Sequence, residues 1–250
     1  TGNTNTSIRF PANGTISLET AGSEALRVDS GQRLLIGNDS SRQSRVANNN
    51  ISPSVQIESD SVAAMSITRF HDGGSPARFI LQKGRGTGAS PTIVQDGDSA
   101  GQILFSAWDG DTFTNTAEIS SYVDGTPGDD DMPGNLIFYT TADGNSVRTE
   151  RMRITSEGRL LIGSDSVRDV GGSTNSSYFQ IEGTSANSSS ISLINNQNST
   201  QAPVIRIGKT RGTADGAVTT VADGDSLGKI TFSGADGTDL ENTTAAIKAE

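Results

Sequence analysis

The sequence predicts an all-β, repeat-built chain, and three observations carry that reading. Short runs rich in Ile, Val, Phe, Tyr and Thr are bounded by Gly, Asp, Asn or Pro; Asp-Gly dipeptides separate many of them; and the same order of runs occurs almost twice. A run of that composition and framing reads as a strand. Glycine in Asp-Gly accepts the positive φ that a tight hairpin turn requires. The dipeptide starts at 72, 96, 109, 124, 143, 215, 223 and 236.

The predicted strands, in order, lie in RVDSGQRLLIG (27–37), SVQIESD (54–60), MSITRF (65–70), RFILQK (78–83), GQILFSAW (101–108), AEISSYV (117–123) and NLIFYTT (135–141). RMRITS (151–156), YFQIEG (178–183), SISLIN (190–195), VIRIGK (204–209) and KITFSG (229–234) follow. Alternation is visible where Met152 and Ile154 flank Arg153, where Ile205 and Ile207 flank Arg206, and where Ile230 and Phe232 flank Thr231. Such period-two spacing gives one apolar and one polar face. The best helical candidate, 59–70, also reads as a strand. Leu34, Ile36, Ile103, Phe105, Phe138, Leu160, Ile162, Ile205, Ile207, Ile230 and Phe232 are the expected core positions.

Self-comparison organises the chain. LRVDSGQRLLIGNDSSR at 26–42 aligns with MRITSEGRLLIGSDSVR at 152–168, with ten of 17 residues identical. VQIES and FQIEG, KGRGT and KTRGT, and DGDSAGQILFSAWDG and DGDSLGKITFSGADG follow in the same order. The expected organisation is a lead-in at 1–25, a β repeat unit at 26–151 and a second, incomplete unit at 152–250. Glu250 aligns with Tyr122, so the matching turn and LIFYTT strand are missing and the polypeptide is expected to continue.

Composition sharpens the problem such a chain must solve. Ser 33, Thr 27, Asn 16 and Gly 29 together make 42% of the 250 residues, whereas Leu, Ile, Val and Phe make only 21%. That is close to the ~20% below which chains tend to stay unfolded. Short strands with a thin core leave sheet edges open, and closure, stacking or association with identical chains covers them. A unit near 126 residues is too long for one solenoid coil, so association with other copies is the expected remedy.

The phrases TAGSEALRVDSGQRLLIG, RGTGASPTIVQDGDSAGQILF, VDGTPGDDDMPGNLIFYTTADG and TERMRITSEGRLLIG resemble the repeat modules of bacteriophage tail fibres and related virion structural proteins, notably those of phages with marine and cyanobacterial hosts. The resemblance implies an elongated, intertwined homotrimer in a virion appendage. On that basis the chain is a tail-fibre shaft or spacer that presents a host-recognition tip, with other virion proteins as partners and host surface glycan as a possible contact. A bacterial extracellular adhesive or matrix filament, and a polysaccharide-degrading fibre, are the alternatives.

Site chemistry is sparse. Asp96, Asp98, Asp223 and Asp225 are candidate Ca²⁺ ligands because calcium takes six to eight oxygens, and hairpin turns are the competing use of the same residues. No other cofactor is implied. His71 is the single His and no Cys is present, so nucleophilic catalysis lacks its usual partners and no catalytic residue is assigned. Gly208-Lys209-Thr210 fails as a phosphate loop, since position 203 is Pro. Trp108 reads as a core or interface residue before a sugar-stacking one, because such rings mainly contribute buried area. A net charge of −10 with scattered basic residues argues against nucleic acid, and no run is long enough for a membrane helix.

Overall fold

A computed structural model describes residues 5–46, 49–172 and 176–250, which divide into two compact units, Thr1–Glu150 and Arg151–Glu250. The described residues are β-strands, turns and irregular chain; their single helical element is the short 3₁₀ turn Asn187–Ser189.

In the first unit, β1 (Ser7–Arg9), β2 (Ile16–Thr20), β3 (Ser23–Val28) and β4 (Leu34–Ile36) form an antiparallel meander, and β5 (Ser44–Val46) and β6 (Asn49–Ile51) form a small hairpin. β7 (Val55–Ile57) then returns to pair parallel with β4. β8 (Arg85–Thr87) and β9 (Ser90–Thr92) make an isolated hairpin. β10 (Ser99–Trp108) and β11 (Phe113–Val123) make a long one, extended on its other side by β12 (Gly134–Thr141), with β5 pairing parallel to the start of β11.

β13 (Arg148–Ile154) carries the chain into the second unit. There β14 (Leu160–Ile162) pairs antiparallel with it, β15 (Phe179–Ile181) pairs parallel with β14, and β16 (Gly228–Gly234) forms a hairpin with β17 (Asn242–Ala249). The turn chemistry operates as expected at seven of the eight Asp-Gly sites, where glycine has positive φ; Gly73 is the exception. A register shift falls at Phe105/Ser106 and at Phe232/Ser233. In each case the extra, unpaired residue is a threonine, Thr116 or Thr244, whose hydroxyl donates to the carbonyl of the phenylalanine across the ladder at 3.0 Å.

Residues opposite one another across a ladder share a face. In the first sheet, one row runs Ile8, Leu18, Leu26, Ile36, Ile57 and the next runs Ile16, Val28, Leu34, Val55. Every member is aliphatic, yet none is buried: Leu26, Leu34 and Ile36 are half-buried, and Ile8 is 65% and Val55 56% exposed. The opposite face carries the row Arg9, Ser17, Arg27, Leu35, Gln56, in which Ser17 and Leu35 are buried. The second unit repeats the layout, with Met152, Ile162, Ile181 and Ile154, Leu160, Phe179 on one face and Arg153, Leu161, Gln180 on the other.

Two sequence expectations are corrected here. MSITRF, RFILQK, SISLIN and VIRIGK form no strand, since none of the described residues makes a ladder with them; 59–70 is not helical either. Their apolar side chains stay open to solvent, Phe70 at 94%. The core assignment also shifts. Leu34, Ile36, Phe138, Leu160 and Ile162 are only half-buried, and Ile103, Phe105, Ile205, Ile207, Ile230 and Phe232 are exposed, since they stand on the open rows or in the unpaired segments. The fully buried leucines are Leu35 and Leu161, each flanked across the ladder by an Arg and a Gln whose stems can lie along it.

Candidate functional site

The phrase LLIG, a following Arg and QIE build one clasp in each unit. Gly37, at φ +80°, lets the chain leave β4 against β7, and the Glu58 N–H donates to the Ile36 carbonyl at 2.9 Å. Five residues after Gly37, the Arg42 N–H donates to Gln56 Oε1 at 2.8 Å while its Nε donates to Glu58 at 2.7 Å. Asn38 Nδ2 donates to the same carboxylate. In the second unit Gly163, Arg168, Gln180 and Glu182 take these places: Arg168 N–H to Gln180 Oε1 at 3.1 Å, Arg168 Nε to Glu182 at 2.7 Å. Polar residues at the parallel pair thus fix the return strand.

The candidate calcium ligands fall in a second recurring arrangement. Both oxygens of Asp98 accept from Arg85, at 2.6 and 2.7 Å, and Oδ2 also accepts the Gln95 N–H. Asp225 holds Arg211 at 2.7 and 2.7 Å and accepts the Ala222 N–H. The guanidinium first, and then the turn N–H, hold Asp98 well below the usual carboxylate range and bring Asp225 down to about 2. Asp96 accepts the Gly125 N–H at 2.8 Å, and Asp223 is exposed in its turn. Among the described residues no three acidic or His side chains converge. Asp109 and Asp236 cap the hairpin turns: Asp109 accepts from the N–H groups of Thr112 and Asp111 and from the Thr114 hydroxyl, which lower it to about 2.

On the covered face of β10, β11 and β12 the chemistry is polar. Glu118, 1% exposed, pairs with Arg148 at 2.8 Å and accepts from Gln102, Asn115 and Ser120. Arg148 also stacks over the Tyr139 ring, 4.9 Å from its centroid. Ile137, opposite Ser120, completes this inner layer, whereas the buried Val123 lies on the other face with Ile119. The facing row of Ile103, Ile119 and Phe138 points outward, as does Phe105 beside Ala117. In β16 and β17 the corresponding pair is Ile230 with Ile247, both exposed.

Trp108 is 57% exposed and meets Phe113 edge to face at 5.3 Å. It lines an open cleft of about 690 Å³ with Val55, Ile57, Leu104 and the Arg42–Glu58 clasp. His71 is exposed, its Nδ1 accepting the Gly73 N–H at 2.7 Å. Sequence reasoning missed Arg85, Arg211, Glu118 and Arg148; the recurrence of Arg in KGRGT and KTRGT was the available signal for the first two.

No family model matches the chain, and no curated protein sequence matches it. Solved structures do. The carboxy-terminal domain of the bacteriophage T5 L-shaped tail fibre matches with a TM-score of 0.50 and 17% identity, over 77% of this chain and 83% of that one. The same domain together with its intra-molecular chaperone domain matches with a TM-score of 0.51 and 14% identity, over 100% of this chain and 80% of that one. The similarity is one of fold.

Proposed function

We propose that the chain is a structural segment of a bacteriophage tail fibre, a shaft or spacer in a virion appendage that holds a host-recognition tip away from the particle. It works as a homotrimer of elongated repeat modules and carries out no catalysis. The observation that carries this reading is how little apolar surface the chain covers by itself: in both units the aliphatic rows are at best half-buried, with Ile8, Val55, Ile154 and Phe179 exposed, whereas on the opposite face a single leucine, Leu35 or Leu161, is fully buried. A lone soluble chain gains stability chiefly by removing apolar surface from water, so a chain built this way is completed by others. The tail-fibre fold supports the same reading, as do the like contacts made by aligned residues in the two units. Avidity from several fibres would let weak contacts at the tip, including those to host glycan, hold a particle.

Sedimentation velocity of the purified chain tests the proposal. A trimer is expected across the micromolar range; a stable, folded monomer overturns it.

A further inference from the structure

The aliphatic face of the first sheet is suited to one kind of partner. It holds two full rows without a charged or polar member, so it offers no group by which an unrelated protein would be selected. It also recurs: the positions of Leu26, Val28, Leu34, Ile36, Val55 and Ile57 are filled in the second unit by Met152, Ile154, Leu160, Ile162, Phe179 and Ile181. A surface that repeats along the sequence requires a partner that repeats with the same spacing. A second copy of this chain, running in the same direction and in register, has that property by construction.

The chain as a whole exposes more surface than its mass calls for. Two compact units of this combined mass, 25.9 kDa, would expose about 12,600 Å² by the area–mass scaling of folded monomers. The chain exposes 18355 Å², an excess of about 5,800 Å² over that scaling. Obligate interfaces run from about 2,000 to 5,000 Å² or more in total. That excess is spread over the whole chain, the unpaired segments included, and the aliphatic face is one part of it.

We infer that this face, in the first unit and at its counterpart in the second, is where copies of the chain meet, in parallel register so that like rows face like rows. The inference rests on the homotrimer reading and specifies which surface builds it. At the contact, sheets pack face to face about 10 Å apart through interdigitating side chains, and the polar rows with Leu35 and Leu161 remain on the far side.

The absence of cysteine makes the test direct. Leu18→Cys and Ile36→Cys are made singly, with Thr238→Cys in an exposed turn as the control. Assembly is measured by sedimentation, followed by mild oxidation and maleimide labelling. The expected result is a disulfide-linked pair for at least one sheet variant and none for the control, with labelling of the assembled sheet variants slowed about tenfold or more relative to Thr238→Cys, as thiol reactivity follows access. A trimer whose sheet cysteines label as fast as the control and do not cross-link overturns this surface and leaves the trimer standing. A folded monomer overturns both.

Discussion

Gly37 faces the Glu58 carbonyl so closely that a Cβ at this position would stand 2.1 Å from the oxygen, and Gly163 stands in the same relation to Glu182 at 2.2 Å. Backbone, not a flexible side chain, is the obstacle. Both glycines also have positive φ, which L side chains rarely adopt. Gly37→Ala and Gly163→Ala are each expected to destabilise their unit by about 2 kcal/mol or more, combining a strained conformation with a displaced return strand. Thermal melts followed by circular dichroism check this, and Gly144→Ala, at a site with open space around it, is the milder comparison.

The Arg85–Asp98 and Arg211–Asp225 pairs make stability depend on acid. A carboxyl whose folded pKa is lowered contributes stability above its unfolded value, near 4, and the contribution is lost as pH falls through the folded value. Asp225 and Asp109 lie at about 2, and Asp98 is also lowered. Melting temperature is therefore expected to hold from pH 7 to about 5 and to fall between about 4 and 2. Asp98→Asn and Asp225→Asn should each lower it at neutral pH and flatten the acid limb.

Arg148→Met should be among the most damaging single changes. It leaves Glu118, whose side chain is fully covered, without its ion partner. Breaking one side of a buried pair typically costs about 3–5 kcal/mol, whereas replacing both with apolar groups is often neutral. Chemical denaturation of Arg148→Met and of the double variant Glu118→Leu/Arg148→Met is expected to show recovery in the double.

Leu35 and Leu161 are buried completely within the chain. Leu35→Ala and Leu161→Ala should each cost about 2–5 kcal/mol through lost burial and a residual cavity. Leu18→Ala, on the open row, should act differently by weakening association, visible as a steeper dependence of melting on protein concentration.

Much of the β framework was legible because RLLIG, VQIES, GQILFSAW and NLIFYTT carry strand composition and are cut by turn residues at the right places. MSITRF and VIRIGK carry the same composition, yet they form no strand here. Composition reports a preference for pairing; it does not say whether a backbone to pair with lies in the same chain. The inner leucines were hidden for a different reason. LLI is an unbroken apolar run, so alternation within it is silent, and only the long Arg and Gln side chains opposite Leu35 and Leu161 decide which leucine is covered. The aspartates of the repeated DGD turns stood out, but their guanidinium partners lie 13 and 14 residues away on another element, beyond any local motif.

The unpaired segments also bear on digestion. Residues 59–84 and 190–210 form no strand and carry Arg69, Arg78, Lys83, Arg206 and Lys209. Proteases cut where chain is open or opens readily. Trypsin should release fragments bounded by these residues from isolated chains and, under the proposed trimer, survival of the intact band should track the fraction of chains assembled.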